Sequence, residues 1–288
     1  MELNLLNLKG GFGNQLFQLS FANYLKNTKN KVIINTDIYK VEKDVNNTRR
    51  ELVVNLEDFK FRESSNFEKL IFNNLNTIFN SSIVMKLFPK NNNFIFKTIK
   101  DKDLNKYGSK KSIFTIYDGY WQEYSYINYS KKFLITSLSK NKLIFDATQS
   151  PKISGSTLIH VRRQDYLKLK QELDIGYYKR AINKASELVE DFNFTVFTDD
   201  IDWVNTQDIF NDAMKIYLPK IDETKKDVIE TFSEMLKFEN FIIANSSFSY
   251  MAAFLGSATN SKVFYPNPWF KGRRKEISFD KKWFNIDQ

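Results

Sequence analysis

The chain has 288 residues, 42% hydrophobic and 27% charged, which suits a folded protein with room for two packed domains and rules out a disordered or collagen-like chain. It has no cysteine and one histidine, which excludes disulfide scaffolds, thiolate zinc sites, iron–sulfur clusters, cysteine nucleophiles and multi-histidine metal centres. The formal charge is +9, and the surplus is uneven: residues 1–150 carry 23 Lys+Arg against 14 Asp+Glu, whereas residues 151–288 carry 20 of each. Such a balance fits nucleic acid, an anionic membrane, a phosphorylated substrate or a plain solvated face, and by itself selects none of them.

Leu3 to Leu8 reads as a buried strand, breaks at Gly10, Gly11 and Gly13, and resumes at helical spacing with Phe17, Phe21, Tyr24 and Leu25. Val32-Ile33-Ile34 is a second strand, so the chain opens as strand, glycine loop, helix, strand, the start of a doubly wound α/β unit. From Arg50 to Lys111 the pattern blurs into Phe, Asn and Lys, with a triplet at Asn91 to Asn93, and reads as short helices and loops.

The second half is regular. Thr157 to Val161 reads as a strand, and Tyr178, Ala181, Ile182, Ala185, Leu188 and Val189 form one helical stripe. Phe194 to Phe197 is a strand, a helix starts near Ile201, Met214 to Leu218 is a strand and Asp222 to Phe238 a helix. A strand at Phe241 to Ala244, a helix from about Ser249 to Leu255 and a strand at Val263 to Tyr265 complete the alternation. Gln149 to Ser156, with Pro151 and Gly155, is the natural linker, which sets expected domains of 1–150 and 151–288. The expected fold class is α/β: two Rossmann-like doubly wound domains facing a cleft, with ligands beyond the carboxyl ends of the strands. No cationic leader or apolar run of about 18 residues occurs, so the expected location is the cytoplasm.

The polar motifs fall where strands end. Gly10-Gly11-Phe12-Gly13-Asn14-Gln15 joins a strand to a helix N-terminus, where backbone N–H groups suit a phosphate or sugar oxygen; a tight turn needing positive φ is the plainer reading. It lacks both GxGxxG spacing and a Walker lysine. In His160-Val161-Arg162-Arg163-Gln164-Asp165-Tyr166, strand alternation puts His160 and Arg162 on one face. Arginine grips a diphosphate bidentately and keeps its charge, so it can neutralise a departing phosphate. Asp165 reads either as a base or as the partner that orients an arginine. Thr198, Asp199 and Asp200 end the next strand; Asp199 suits a hydrogen-bond acceptor, and Asp200-Ile201-Asp202 is formally a metal-binding D-x-D. Asn245-Ser246-Ser247-Phe248-Ser249 opens a helix, giving either phosphate donors or a helix cap. Nothing resembles a Ser-His-Asp hydrolase. The many aromatic residues read as core, which leaves nucleic acid with little support.

In this order the segments resemble the inverting α-1,2-fucosyltransferases of glycosyltransferase family 11. The resemblance rests on Gly10 to Gln18, Gly119-Tyr120-Trp121-Gln122, His160-x-Arg162-Arg163-x-Asp165-Tyr166, Phe197-Thr198-Asp199-Asp200-x-x-Trp203, Ile243 to Ser249 and Pro268-Trp269-Phe270, and so spans nearly the whole chain. It implies a GT-B type fold and metal-independent transfer of L-fucose from GDP-L-fucose to the 2-hydroxyl of a galactose-type residue. The implied acceptor is an O-antigen or capsule precursor, lipid-linked, reached from the inner face of the membrane without any cofactor.

By place in the motifs, Arg162 would hold the β-phosphate and stabilise leaving GDP. Gly11, Phe12, Gly13, His160, Arg163, Thr198, Asp199, Glu230 and Asn245 to Ser249 would line the donor site, and Asn14 would lie between donor and acceptor. The acceptor would then belong to residues 1–150 and the GDP-sugar to residues 151–288. Some positions depart from the family pattern: Gln164 stands where glycine is usual, Asn240 where histidine is usual, and Thr231 beside Glu230 where an aspartate reads guanine. These departures keep a colitose or rhamnose-type donor open; from another class, a non-catalytic polyanion-binding module is the rival reading. Lys97, Lys100, Lys102, Lys106, Lys110 and Lys111 are the expected contact with anionic lipid.

Overall fold

The computed structural model describes residues 2–29, 31–40, 51–79, 95–101, 104, 112–219, 224–272 and 277–288. The chain divides into two compact units, Met1–Ser137 and Leu138–Gln288.

The first unit contains β1 (Leu3–Asn7), α1 (Phe12–Lys29), β2 (Lys31–Asn35), a 3₁₀ turn (Asp37–Tyr39), α2 (Asn66–Phe79), β3 (Phe96–Lys100), β4 (Phe114–Asp118) and α3 (Tyr124–Tyr129), with α4 (Lys131–Leu138) at its end. All its strands are parallel, in the order β2-β1-β4-β3, with Leu5 opposite Ile33 on one side and Ile116 on the other. Parallel sheets need cover on both faces. Leu5, Ile33, Phe96 and Ile116 pack with Phe72 of α2, while Leu16, Phe17 and Phe21 of α1 are also buried. Phe21 stacks on Trp121 with centroids 4.1 Å apart.

The second unit contains α5 (Lys142–Gln149), β5 (Ser156–Val161), α6 (Gln164–Leu169), α7 (Ile175–Leu188), β6 (Asn193–Thr198), α8 (Ile201–Asn205), a 3₁₀ turn (Asp208–Phe210) and β7 (Lys215–Tyr217). It continues with α9 (Lys225–Met235), β8 (Asn240–Ile242), α10 (Ser247–Gly256), β9 (Val263–Asn267) and β10 (Phe284–Asp287). The six strands lie parallel in the order β10-β9-β8-β5-β6-β7. From β5 the chain winds outward through β6 and β7, then returns to β8 and winds the other way. This is the 3-2-1-4-5-6 Rossmann order, and its topological switch point lies between β5 and β8. Asp174 caps α7 by accepting from the Tyr177 N–H, and the helix buries Tyr177, Tyr178, Ala181 and Ala185. Thr224 and Asp227 form a capping box at the start of α9.

The α/β class and the two Rossmann-like units, the elements of a GT-B type fold, are as expected, but several details differ. Between Arg50 and Lys111 the chain holds a strand, β3, as well as a helix. Its sequence, Phe-Lys-Thr-Ile-Lys, hides the apolar alternation because Lys97 occupies a buried position. Lys97 is therefore no surface contact for lipid; Lys100 is exposed, and Lys102, Lys106, Lys110, Lys111 and Asn91 to Asn93 lie outside the described residues. The strands β4 and β10 escape the sequence reading as well. The division falls ahead of the expected linker because α5 packs against α9 and so joins the second unit.

Candidate functional site

Three neighbouring strands of the second sheet, β8, β5 and β6, each end in a polar motif. The guanidinium of Arg162, just past β5, lies 2.9 Å from the carboxylate of Asp165 and 3.0 Å from that of Asp199 beyond β6. Burial opposes its charge, but the two carboxylates outweigh that and raise its pKa, so the cation is fixed in charge and direction. Asp199 also accepts the Arg163 backbone N–H at 2.8 Å. Asp165 is thus paired with the arginine it could orient.

The side chain of Arg163 is committed within the fold. Its Nε donates to Asp200 at 3.1 Å, and its guanidinium lies 4.0 Å from the ring centroid of Trp203. The other Asp200 oxygen accepts the Trp203 N–H and caps α8. The carboxylate that would begin a D-x-D metal site is thus a helix cap and an arginine partner. Among the described residues, no three His, Cys, Asp or Glu side chains are grouped as a metal would need. Thr198 is buried, and its hydroxyl accepts the Asp200 N–H at 2.9 Å, so it shapes the turn.

On the other side of β5, the Tyr166 hydroxyl donates to the Asn245 carbonyl at 2.9 Å, tying the β5 loop to the β8 loop. The Asn245 amide donates to the Gln171 carbonyl at 2.7 Å. Ser246 caps α10 by accepting from the Phe248 N–H, and Ser249 is fully buried with its hydroxyl turned to the Ala244 and Ser246 carbonyls. Ser247 and Phe248 stay partly exposed, and the Phe248 ring packs edge-on against Phe232 of α9. The N-terminus of α10 therefore sits at the switch point, where its dipole favours an anion. His160 is buried, with Nδ1 lacking a hydrogen-bond partner; burial, aided by the Arg162 charge, lowers its pKa to about 3, so the ring is neutral. Glu230 is half-exposed on α9, 3.6 Å from Lys226. Gln164 is exposed, so its side chain fits without crowding. Asn240 is buried and accepts the Lys262 N–H at 2.8 Å.

The first unit gathers its own polar residues beyond β1 and β4. Gly10 carries the positive φ of the glycine loop (82°), and a Cβ there would lie 2.9 Å from Asn14 Nδ2. Its carbonyl accepts from Gln15 Nε2 at 3.0 Å and from the Tyr39 hydroxyl at 2.8 Å. Gln15 and Gln18 are fully buried clamps: Gln15 also accepts the Val53 and Val54 N–H groups, and Gln18 pairs with both backbone groups of Lys9. Gly11 is partly exposed, whereas Phe12 and Gly13 are buried. Asn14 is partly exposed, and its Oδ1 accepts from Gln122 Nε2 at 2.7 Å, which joins two motifs 108 residues apart. Sequence reasoning missed Lys9, Asp101 and Asp118, each of which follows or ends a strand of this sheet.

The sequence profile of "Glycosyl transferase family 11" matches residues 3–287, nearly the whole chain. The chain belongs to glycosyltransferase family 11. It is similar to "O-antigen biosynthesis glycosyltransferase WbnK" of Escherichia coli, 24% identical over 97% of this chain and 99% of that protein. It is also similar to an "Alpha-1,2-colitosyltransferase" of Escherichia coli, 26% identical over the full length of both. Among solved structures, the fucosyltransferase NodZ from Bradyrhizobium aligns over 88% of this chain and 94% of that one, at 14% identity and a TM-score of 0.48. Among the described residues of this family 11 chain, no helix is long and apolar enough to cross a membrane.

Proposed function

We propose that the protein transfers L-fucose from GDP-L-fucose to the 2-hydroxyl of a galactose-type residue, on a lipid-linked precursor of a cell-surface polysaccharide such as O-antigen or capsule. The observation that carries this reading is Arg162 at the Rossmann switch point, aimed by Asp165 and Asp199, with the α10 N-terminus on the adjacent strand. A guanidinium and a helix dipole together offer a diphosphate its charge complement without a metal ion. In the reaction the acceptor oxygen forms a bond to the anomeric carbon while the bond from that carbon to the diphosphate oxygen breaks. The acceptor proton leaves to a base or to solvent, and GDP departs against Arg162. Because that charge develops only as the bond breaks, a guanidinium fixed in advance lowers the barrier more than it tightens the ground state. The neutral His160 beside it adds a polar ring that does not repel the arginine.

A second reading changes the sugar: GDP-colitose in place of GDP-fucose, favoured by the full-length similarity to an α-1,2-colitosyltransferase. A donor panel tests both readings. Purified protein is incubated with GDP-fucose, GDP-colitose or a rhamnose-type donor and a set of galactosides, and the product linkage is read by NMR. Transfer of fucose to O2 is expected; transfer of colitose alone selects the second reading, and linkage at another oxygen overturns the regiochemistry.

A further inference from the structure

We infer that Lys9, Asp118 and Tyr120 form a subsite for a neutral pyranose at the carboxyl ends of β1 and β4. The inference rests on the glycosyltransferase reading and names the surface that would take its acceptor sugar. Lys9 follows β1 and Asp118 ends the neighbouring β4, with Lys9 Nζ 2.7 Å from the Asp118 carboxylate. Both side chains keep about a third of their surface open (27% and 33%). Lys9 Nζ also lies 5.3 Å from the centroid of the Tyr120 ring, which is 41% exposed.

That ring is exposed on a rigid support. The Tyr120 and Trp121 N–H groups donate to the two oxygens of Asp101, at 3.0 and 3.1 Å, and a Cβ on Gly119 would collide with the same carboxylate. Trp121 takes a positive φ of 54° and is buried against Phe21. The next residue, Gln122, holds Asn14. A loop anchored on both sides of one outward aromatic ring is a prepared contact rather than a scattered surface residue. The electron-rich face of such a ring suits the polarised C–H face of a pyranose. An ammonium and a carboxylate side by side give one donor and one acceptor for adjacent sugar hydroxyls. The pair is internally neutral, so an anionic sugar would have to displace Asp118 from Lys9. The subsite therefore favours an uncharged sugar over a uronic acid.

The test uses the full chain and three surface variants, Tyr120→Ala, Asp118→Asn and Lys9→Met. Saturation-transfer NMR with methyl β-galactoside reads binding without any donor, and initial rates read KM for galactoside and GDP-sugar separately. The expected result is a ring-proton signal in the wild type that fades in Tyr120→Ala, with galactoside KM about tenfold higher in each variant and GDP-sugar KM unchanged. Methyl galacturonide should bind more weakly than the neutral sugar. Equal NMR signals in wild type and Tyr120→Ala, no signal in the wild type, or preference for the galacturonide overturns the subsite. Failure of the wild type to turn over any GDP-sugar overturns the proposed function instead, and the NMR comparison still decides the subsite.

Discussion

At the carboxyl end of the second sheet, charged side chains pair with one another: Arg162 with Asp165 nearby in the chain and with Asp199 of the next strand's loop, and Arg163 with Asp200. At the corresponding end of the first sheet, polar side chains instead hold backbone: the buried Gln15 and Gln18 clamp the β1 loop, and the partly buried Asp101 clamps the β4 loop. The two arrangements suit different ligands. A network of paired charges around one arginine is a fixed field, suited to a diphosphate whose charge grows during the reaction. Stiffened loops presenting an aromatic ring and a self-neutralised pair give shape and hydroxyl contacts, suited to a neutral sugar.

The contrast can be broken most sharply at Arg162. Replacing it by alanine should lower turnover by about 10²–10³-fold, the cost of losing a charge-stabilising donor, with little change in galactoside KM. Near-normal transfer would remove the arginine from its role.

Asp199→Ala should come next. It leaves Arg162 with one carboxylate and the Arg163 N–H without its acceptor, and losing those contacts of a partly buried carboxylate should cost about 1–3 kcal/mol. Urea unfolding checks this, and stability within about 0.5 kcal/mol of wild type would contradict it.

His160 gives a pH signature. Its folded pKa, about 3, lies below the value near 6.5 of the unfolded chain, so between these values only the unfolded state takes the proton. Stability from this residue is therefore complete above about pH 6.5 and declines as pH falls, by up to about 1.4 kcal/mol per pH unit. Urea midpoints from pH 7 to pH 4 should fall less steeply in His160→Gln than in the wild type; identical slopes would contradict a buried neutral ring.

In the first unit the effects should be structural. Gln15→Leu removes a partner from the Val53 and Val54 N–H groups and should cost about 1–3 kcal/mol with GDP-sugar KM unchanged. The smallest effect expected is none: EDTA should leave turnover intact, since Arg162 and the α10 N-terminus supply the positive field. Activity restored only by a divalent cation would contradict this.

The α/β alternation of the second unit was legible in the sequence because its strands are continuous apolar runs and its helices keep one stripe, as Tyr178, Ala181 and Ala185 do. β3 was not, because Lys97 is buried where an apolar residue would have marked the strand. β10, Phe-Asn-Ile-Asp, is a short edge strand with one partner and a weak pattern. In the candidate site, residue types and spacing singled out Arg162, Asp165, Asp199 and Asn245 to Ser249. They could not say which were already engaged. Arg163, Thr198, Asp200, Ser246 and Ser249, like Arg162 itself, are each bound into a turn, a cap or an ion pair that the sequence does not show. Asp101 and Asp118 gave no signal, since their roles depend on neighbours that only the sheet brings together.

The most direct test is a calorimetric titration of GDP into the wild type and into Arg162→Ala, in EDTA. The wild type should bind one GDP per chain, and the variant should bind it at least about tenfold more weakly, the loss expected for a hydrogen-bonded charge on phosphate. Equal affinity in the two proteins, or no GDP binding by the wild type, would contradict a diphosphate site at the end of β5.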